Sequence, residues 1–286
     1  MRPSGDYKMK VEEAVKKLLE DRKANGVSGS YYRDLRTHLD RFGKAFRCSL
    51  ISVTPEQVAE YLNGLGVGDR SRQNHFDSIN GLFRFGKMRG YLPADHLGAG
   101  ERVKVRRRNG GTMTIFPPDE LKGLINVASL AVLPGLLIGA FAGLRTEEIS
   151  RLDWSEVHLD KKLIEVKAEK AKTGKRRLVP ILPNLLEWLT ILHQGSGRVA
   201  EYANLGNKFW KIAKHNGLKW RRNGLRHSWI SYRVSQTGSV HQVSLEAGNS
   251  AEIVKSTYLE VTDQPTADEW FKITPQSLGW ELPQSK

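Results

Sequence analysis

Four residues, in chain order, have the types that phosphoryl transfer requires. Arg145 lies in Ala142-Gly143-Leu144-Arg145-Thr146-Glu147-Glu148-Ile149, and Lys172 in Lys172-Thr173-Gly174-Lys175. Arg226 lies in Asn223-Gly224-Leu225-Arg226-His227-Ser228, and Tyr258 in Lys255-Ser256-Thr257-Tyr258-Leu259. A guanidinium is planar and always charged, so two of them can clamp both non-bridging oxygens of a phosphodiester and the charge that grows there. A lysine can hand a proton to the departing oxygen. A tyrosine can attack phosphorus and hold it covalently. Together these are the parts of a metal-free transesterification, with no cofactor.

The elements around them read as mainly α with a small β-sheet. Leu225, Trp229, Ile230 and Val234 recur at helical spacing behind Asn223, which reads as an N-cap. An arginine in that first turn, beside free N–H groups, is a ready phosphate site. Gly143-Leu144-Arg145 reads as a turn, and Thr146 caps a short helix to Leu152. Residues 163–168 alternate like a strand, residues 177–181 are its partner, and Lys172 to Lys175 form the hairpin turn between them. Because a hairpin tip moves, Lys175 stands as an alternative to Lys172. Glu148, three residues after Arg145, reads as a group that orients that arginine. Pro117-Pro118-Asp119-Glu120 opens a helix expected to run, buried, to Ala142. Further helices are expected at 183–192, 201–215, 240–247 and 251–258.

The N-terminal part is patterned differently. Residues 10–24 and 30–46 each carry an apolar stripe at helical spacing, with Arg33, Arg36 and Arg41 interleaved in the second. Thr54-Pro55-Glu56-Gln57 is a capped helix start, and residues 70–89 make a fourth helix. Four such helices without a strand pattern make a small bundle. Arg102, Lys104, Arg106, Arg107 and Arg108 then run into Asn109-Gly110-Gly111. This reads as an exposed linker and a basic strap for a phosphate backbone. The expected organisation is a helical domain over 1–101, a linker over 102–111, an α+β domain over 112–262 and a tail over 263–286.

Composition bounds the partner. The 286 residues carry 45 Lys+Arg against 31 Asp+Glu, a formal net charge of +14. That favours a polyanion, nucleic acid before membrane. The single cysteine, Cys48, excludes an intrachain disulfide and a Cys-rich zinc site and suits a reducing compartment. Residues 1–17 are polar and basic, without an apolar signal segment. The longest apolar run, 130–144, is interrupted by Pro134 and Gly135 and falls short of the ~20 residues that cross a bilayer. A cytoplasmic, nucleoid-associated protein is expected.

These motifs resemble those of the tyrosine recombinases of the phage integrase and Xer type, over nearly the whole chain. The family's first box resembles Gly143-Leu144-Arg145-Thr146-Glu147-Glu148, its hairpin lysine matches Lys172, its second box resembles Leu225-Arg226-His227-Ser228, and its tyrosine box ends at Tyr258. The resemblance implies a SAM-like helical core-binding domain, a catalytic domain, a grip on double-stranded DNA that includes Lys175, a 3′-phosphotyrosyl intermediate and strand exchange in a tetramer. It also implies that His227 supports the catalytic arginine from behind. Two positions depart from the pattern. Asn223 stands where the family usually has His, and Asn249 where it usually has His or Trp. Both can hydrogen-bond and neither titrates near neutral pH, so altered proton handling is expected. A type IB topoisomerase-like nicking enzyme and a DNA-binding regulator with weakened catalysis are the alternatives. Tyr232 is the rival nucleophile, expected instead to pack or to make a structural hydrogen bond.

Beyond Leu259 the balance turns acidic, with Glu260, Asp263, Asp268, Glu269 and Glu281 against Lys272 and Lys286. Trp270, Phe271 and Ile273 give this tail an apolar anchor, either on its own domain or, as in the family, on a neighbouring protomer.

Overall fold

The computed structural model describes residues 7–96, 103, 114–170, 174–258 and 262–281. The chain divides into two compact units, Met1–Gly111 and Thr112–Lys286. No described helix is long and apolar enough to cross a membrane.

In the first unit, α1 (Val11–Ala24), α2 (Gly29–Ala45), α3 (Pro55–Asn63) and α4 (Asp69–Met88) form a helical bundle. Each buries the stripe that its sequence spaces at three and four residues. On α1 this is Val11, Ala14, Val15, Leu18 and Leu19, and on α2 Leu35, Leu39 and Phe42. Arg33, Arg36 and Arg41 face solvent. The start of α3 is a reciprocal cap. Thr54 Oγ1 accepts from the Gln57 N–H at 3.3 Å, and Gln57 Oε1 accepts from the Thr54 N–H at 3.0 Å.

In the second unit, the single helix expected from residue 118 to 142 is two, α5 (Pro118–Val127) and α6 (Leu133–Phe141). Pro134 is the reason. Its ring would strike the carbonyl of the preceding turn and it has no N–H to give, so it sits in the first turn of α6. All of α6 is buried. The four-residue α7 (Thr146–Ile149) follows. Strands β1 (Val157–His158), β2 (Leu163–Val166) and β3 (Arg177–Pro180) make an antiparallel sheet in that order, with Leu163 opposite Pro180 and Val166 opposite Arg177. β1 was not expected; two residues carry no readable alternation. The hairpin connection runs from 167 to 176, longer than a tight turn.

Helices α8 (Pro183–Leu192), α9 (Leu205–His215), α10 (Gly224–Thr237), α11 (Val240–Ala247), α12 (Ala251–Tyr258) and α13 (Gln264–Phe271) complete the unit. α9 begins four residues later than expected, where Asn204 Oδ1 caps the Asn207 N–H at 3.2 Å. α10 is the hub and packs against α6, α11, α12 and α13. Residue 116 clasps it twice: the Phe116 N–H donates to Ser228 Oγ at 2.7 Å, and the Tyr232 hydroxyl donates to the Phe116 carbonyl at 2.9 Å. Tyr232 is thus a buried structural group, and burial pushes its pKa up to about 12.

The acidic tail segment lies on its own domain. Trp270 is fully buried, its indole N–H donates to the Ala140 carbonyl at 3.0 Å, and its ring stacks on Tyr232 at 4.7 Å. The Trp188 indole N–H reaches the Ile273 carbonyl at 3.1 Å. Trp270→Ala should therefore destabilise the second unit by about 3–5 kcal/mol, the usual loss for a large core aromatic. Urea denaturation followed by fluorescence measures this; an unchanged midpoint would show that the tail contributes nothing to this core.

Candidate active site

The site begins where α6 ends. Gly143 has φ +63°, the left-handed region that glycine enters freely, and a Cβ there would lie 2.2 Å from the Trp229 ring. This turn presents Arg145 at the start of α7. Glu148 folds back on it: Oε2 accepts from the Arg145 backbone N–H at 2.9 Å and Oε1 from its guanidinium at 2.9 Å. From β3, Arg177 grips the same carboxylate bidentately at 3.1 and 2.6 Å. Glu148 is only 2% exposed. Burial alone would raise its pKa, but the hydrogen bonds and charges of Arg177 and Arg145 overcome that and hold it down at about 2.

Arg226 comes from the first turn of α10 and is 8% exposed. Its guanidinium donates to the carbonyls of Gly143 at 2.5 Å and Ala247 at 2.6 Å. Burial first, then the neighbouring Arg145, push its pKa down to about 9, so it is still charged at neutral pH. The two arginines meet at Asn249. Its Oδ1 accepts from Arg145 Nη2 at 2.9 Å and from Arg226 Nη2 at 3.1 Å. Gly248, with φ +63° at the end of α11, turns the chain so that its own carbonyl also accepts from Arg145 Nη2 at 3.0 Å. Arg145, Arg177 and Arg226 bring three positive charges against the one carboxylate of Glu148. The excess, with N–H groups on each guanidinium beyond those in these bonds, makes an anion site.

Tyr258 is the last residue of α12 and is 4% exposed, packed with Trp229, Ile230 and Val254. Its hydroxyl lies 2.7 Å from His227 Nδ1. Burial raises the phenol pKa while Arg226 and Arg145 pull it down. Burial, then Arg226, lowers that of His227. His227, expected only as a support behind Arg226, therefore touches the tyrosine directly. Adjacent positions on α10 point about 100° apart, so one side chain faces the carbonyls and the next faces α12.

Asn223 precedes α10 but makes no side-chain cap there; it is exposed with φ +57°, a left-handed conformation that asparagine tolerates better than most residues. It lines a small cleft with Arg145, Thr146, Trp220 and Arg226. Lys172 and the strap residues Arg102, Lys104, Arg106, Arg107 and Arg108 lie outside the described residues. Lys175 is exposed on the approach to β3. The base of that hairpin is pinned by a second buried carboxylate, Glu156. It pairs with Lys170 at 2.6 Å and Lys167 at 3.2 Å, while Arg151 donates to the Lys170 carbonyl at 3.0 Å.

Arg177 and Glu156 were not identified from the sequence. For Arg177 a signal existed: two residues from buried Val179, it shares that residue's inward face, where a charge needs a counter-charge. For Glu156 the signal was the capping-box spacing Asp153-x-x-Glu156, in which Glu156 Oε2 accepts from the Asp153 N–H at 2.9 Å.

Glu148→Gln should leave the buried guanidinium groups without their counter-charge and destabilise the fold by about 3–5 kcal/mol. The sign with pH follows from the depressed pKa. The ionised carboxylate contributes fully above the unfolded value of ~4.3 and is lost as pH falls through the folded value of about 2. Urea midpoints of wild type and variant should differ at neutral pH and converge on acidification; a constant gap would contradict the charge assignment.

No protein-family model matches the sequence, and no curated protein matches it. Solved structures do. A lambda integrase dimer bound to a COC' core site superposes with a TM-score of 0.74 at 13% identity, covering 88% of this chain and 96% of that one. A lambda integrase tetramer bound to a Holliday junction gives 0.70 at 14% identity, over 98% of this chain and 81% of that one. The Tn1549 transposon integrase in complex with transposon right end DNA gives 0.69 at 13% identity, over 91% and 98%. By this backbone likeness the chain has the tyrosine recombinase fold, mainly α with a small antiparallel sheet.

Proposed function

We propose that this chain is a site-specific DNA recombinase that cuts and rejoins strands through a 3′-phosphotyrosyl intermediate. One observation carries the reading. Two guanidinium groups converge on Asn249 Oδ1, and the hydroxyl of Tyr258 lies within their electrostatic field. A phosphodiester in that excess of positive charge meets donors at its non-bridging oxygens from Arg145 and Arg226. Tyr258 Oη attacks phosphorus as the bond to the 5′-oxygen breaks. Lys172 is assigned the proton that this oxygen takes up, with Lys175 as the alternative. Asn223, in the same cleft, donates a hydrogen bond to the phosphate. Asn249 acts on the phosphate through the arginines that it aligns.

The partner is double-stranded DNA, and the assembly is a tetramer on it. The net charge of +14 supports the first, and the DNA-bound dimer and tetramer among the similar structures support both. The N-terminal helical unit, with arginines exposed along α2, is assigned as the core-binding domain, and the basic strap as its link to the catalytic domain. The same reading puts the protein with the DNA of the cytoplasm.

A nicked suicide duplex built on the DNA flanking the gene tests the chemistry. Wild type should form a covalent adduct, and Tyr258→Phe should bind equally and form none. Arg145→Ala or Arg226→Ala should lower the cleavage rate by about 10²–10³-fold, as for loss of an oriented donor to a developing anion. Tight binding by wild type without any adduct would leave a DNA-binding regulator.

Salt dependence tests the strap. Replacing Arg106, Arg107 and Arg108 by Ala should shallow the slope of log affinity against log salt by roughly 0.9 per lost phosphate contact. An unchanged slope would remove the strap from the interface.

A further inference from the structure

We infer that His227 is the group that takes the proton from Tyr258 when the tyrosine attacks. The inference rests on the strand-transfer reading above and adds to it the residue that handles this proton. The contact is direct, with His227 Nδ1 2.7 Å from Tyr258 Oη. It joins the first turn of α10 to the last residue of α12, so two packed helices fix it. The rings lie 5.7 Å apart between centroids, tilted by 37°.

No other described side chain takes this place. Asn249 spends its amide oxygen on the two arginines and has no basic nitrogen. Asn223 is exposed at the cleft, and its amide does not titrate either. Among the described residues, the charged groups acting on the pair are Arg226 on the same helix and, on Tyr258, Arg145 from the start of α7. Burial first, and then the cationic Arg226, favour the neutral imidazole, with an open lone pair on Nδ1 when its proton is on Nε2.

The step balances. As the Tyr258 Oη–P bond forms, the hydroxyl proton passes to His227 Nδ1, and the P–O5′ bond breaks, with the 5′-oxygen taking its proton from the hairpin lysine. In rejoining, the 5′-oxygen attacks phosphorus as its proton returns to the neutral hairpin lysine, the P–Oη bond breaks and the imidazolium returns its proton to the tyrosine oxygen. Transfer during attack avoids a free tyrosinate in the buried site, which burial disfavours.

The test uses the full chain and the same nicked duplex, with single-turnover adduct formation followed from about pH 4.5 to about pH 9.5, a window that spans imidazole titration. The wild-type rate should fall on the acid side with a midpoint below the ordinary histidine value of ~6.5. His227→Gln should retain DNA binding, lose that limb and slow by about 10²–10⁴-fold. Added imidazole should restore rate to His227→Ala, which a purely structural role would not allow. A wild-type adduct matched in rate and pH profile by His227→Gln overturns the inference and leaves strand transfer standing. No adduct with wild type on DNA that it binds overturns both.

Discussion

Glu148 is a carboxylate buried between two guanidinium groups, Arg145 on its own turn and Arg177 on β3. A buried carboxylate without such partners would be costly, and so would the arginines without it. Each therefore fixes the others, and a helix start and a strand end become one rigid piece. Arg145 is then held by its own backbone N–H, its guanidinium and the Gly248 carbonyl. A side chain with several rotatable bonds is thereby held in one orientation. That is the condition under which oriented charge lowers a barrier without first having to reorganise.

The same grip reaches the hairpin. Arg177 is the first residue of β3, so the strand that leads out of the 167–176 connection is tied to the arginine cluster. Glu156 with Lys167 and Lys170 fixes the strand that leads in. Ion pairs thus fix the hairpin at its base.

α10 supplies the other half. Its successive residues do different work because a helix turns by about 100° per residue. Arg226 turns to the carbonyls of Gly143 and Ala247, His227 to Tyr258, and Ser228 to Phe116. Trp229 fills the space that a glycine at 143 leaves open. The helix is clasped by residue 116 at one side and covered by Trp270 on Tyr232 at another. The acidic tail segment thereby belongs to the core that holds Arg226 in place.

Local pattern was enough for much of this. Apolar stripes at helical spacing, the Thr54 cap and the strand alternation before and after the hairpin are short-range properties, and the elements they mark are present. Residue chemistry likewise singled out Arg145, Arg226 and Tyr258 as parts of one site, and the fold brings them together. Pro134, which interrupts the apolar run, starts a new helix where its ring requires one. What the sequence could not determine was which polar groups meet. Glu148 and Arg177 lie 29 positions apart, Arg145 and Asn249 104, and Arg226 and Asn249 23. His227 looked like a support for its neighbour until the packing of α12 on α10 put the Tyr258 hydroxyl on its ring. Spacing and residue type act within a few turns of chain and so determine elements and candidate groups. Partners across a buried site are chosen by the packing of those elements, and only the tertiary structure decides them.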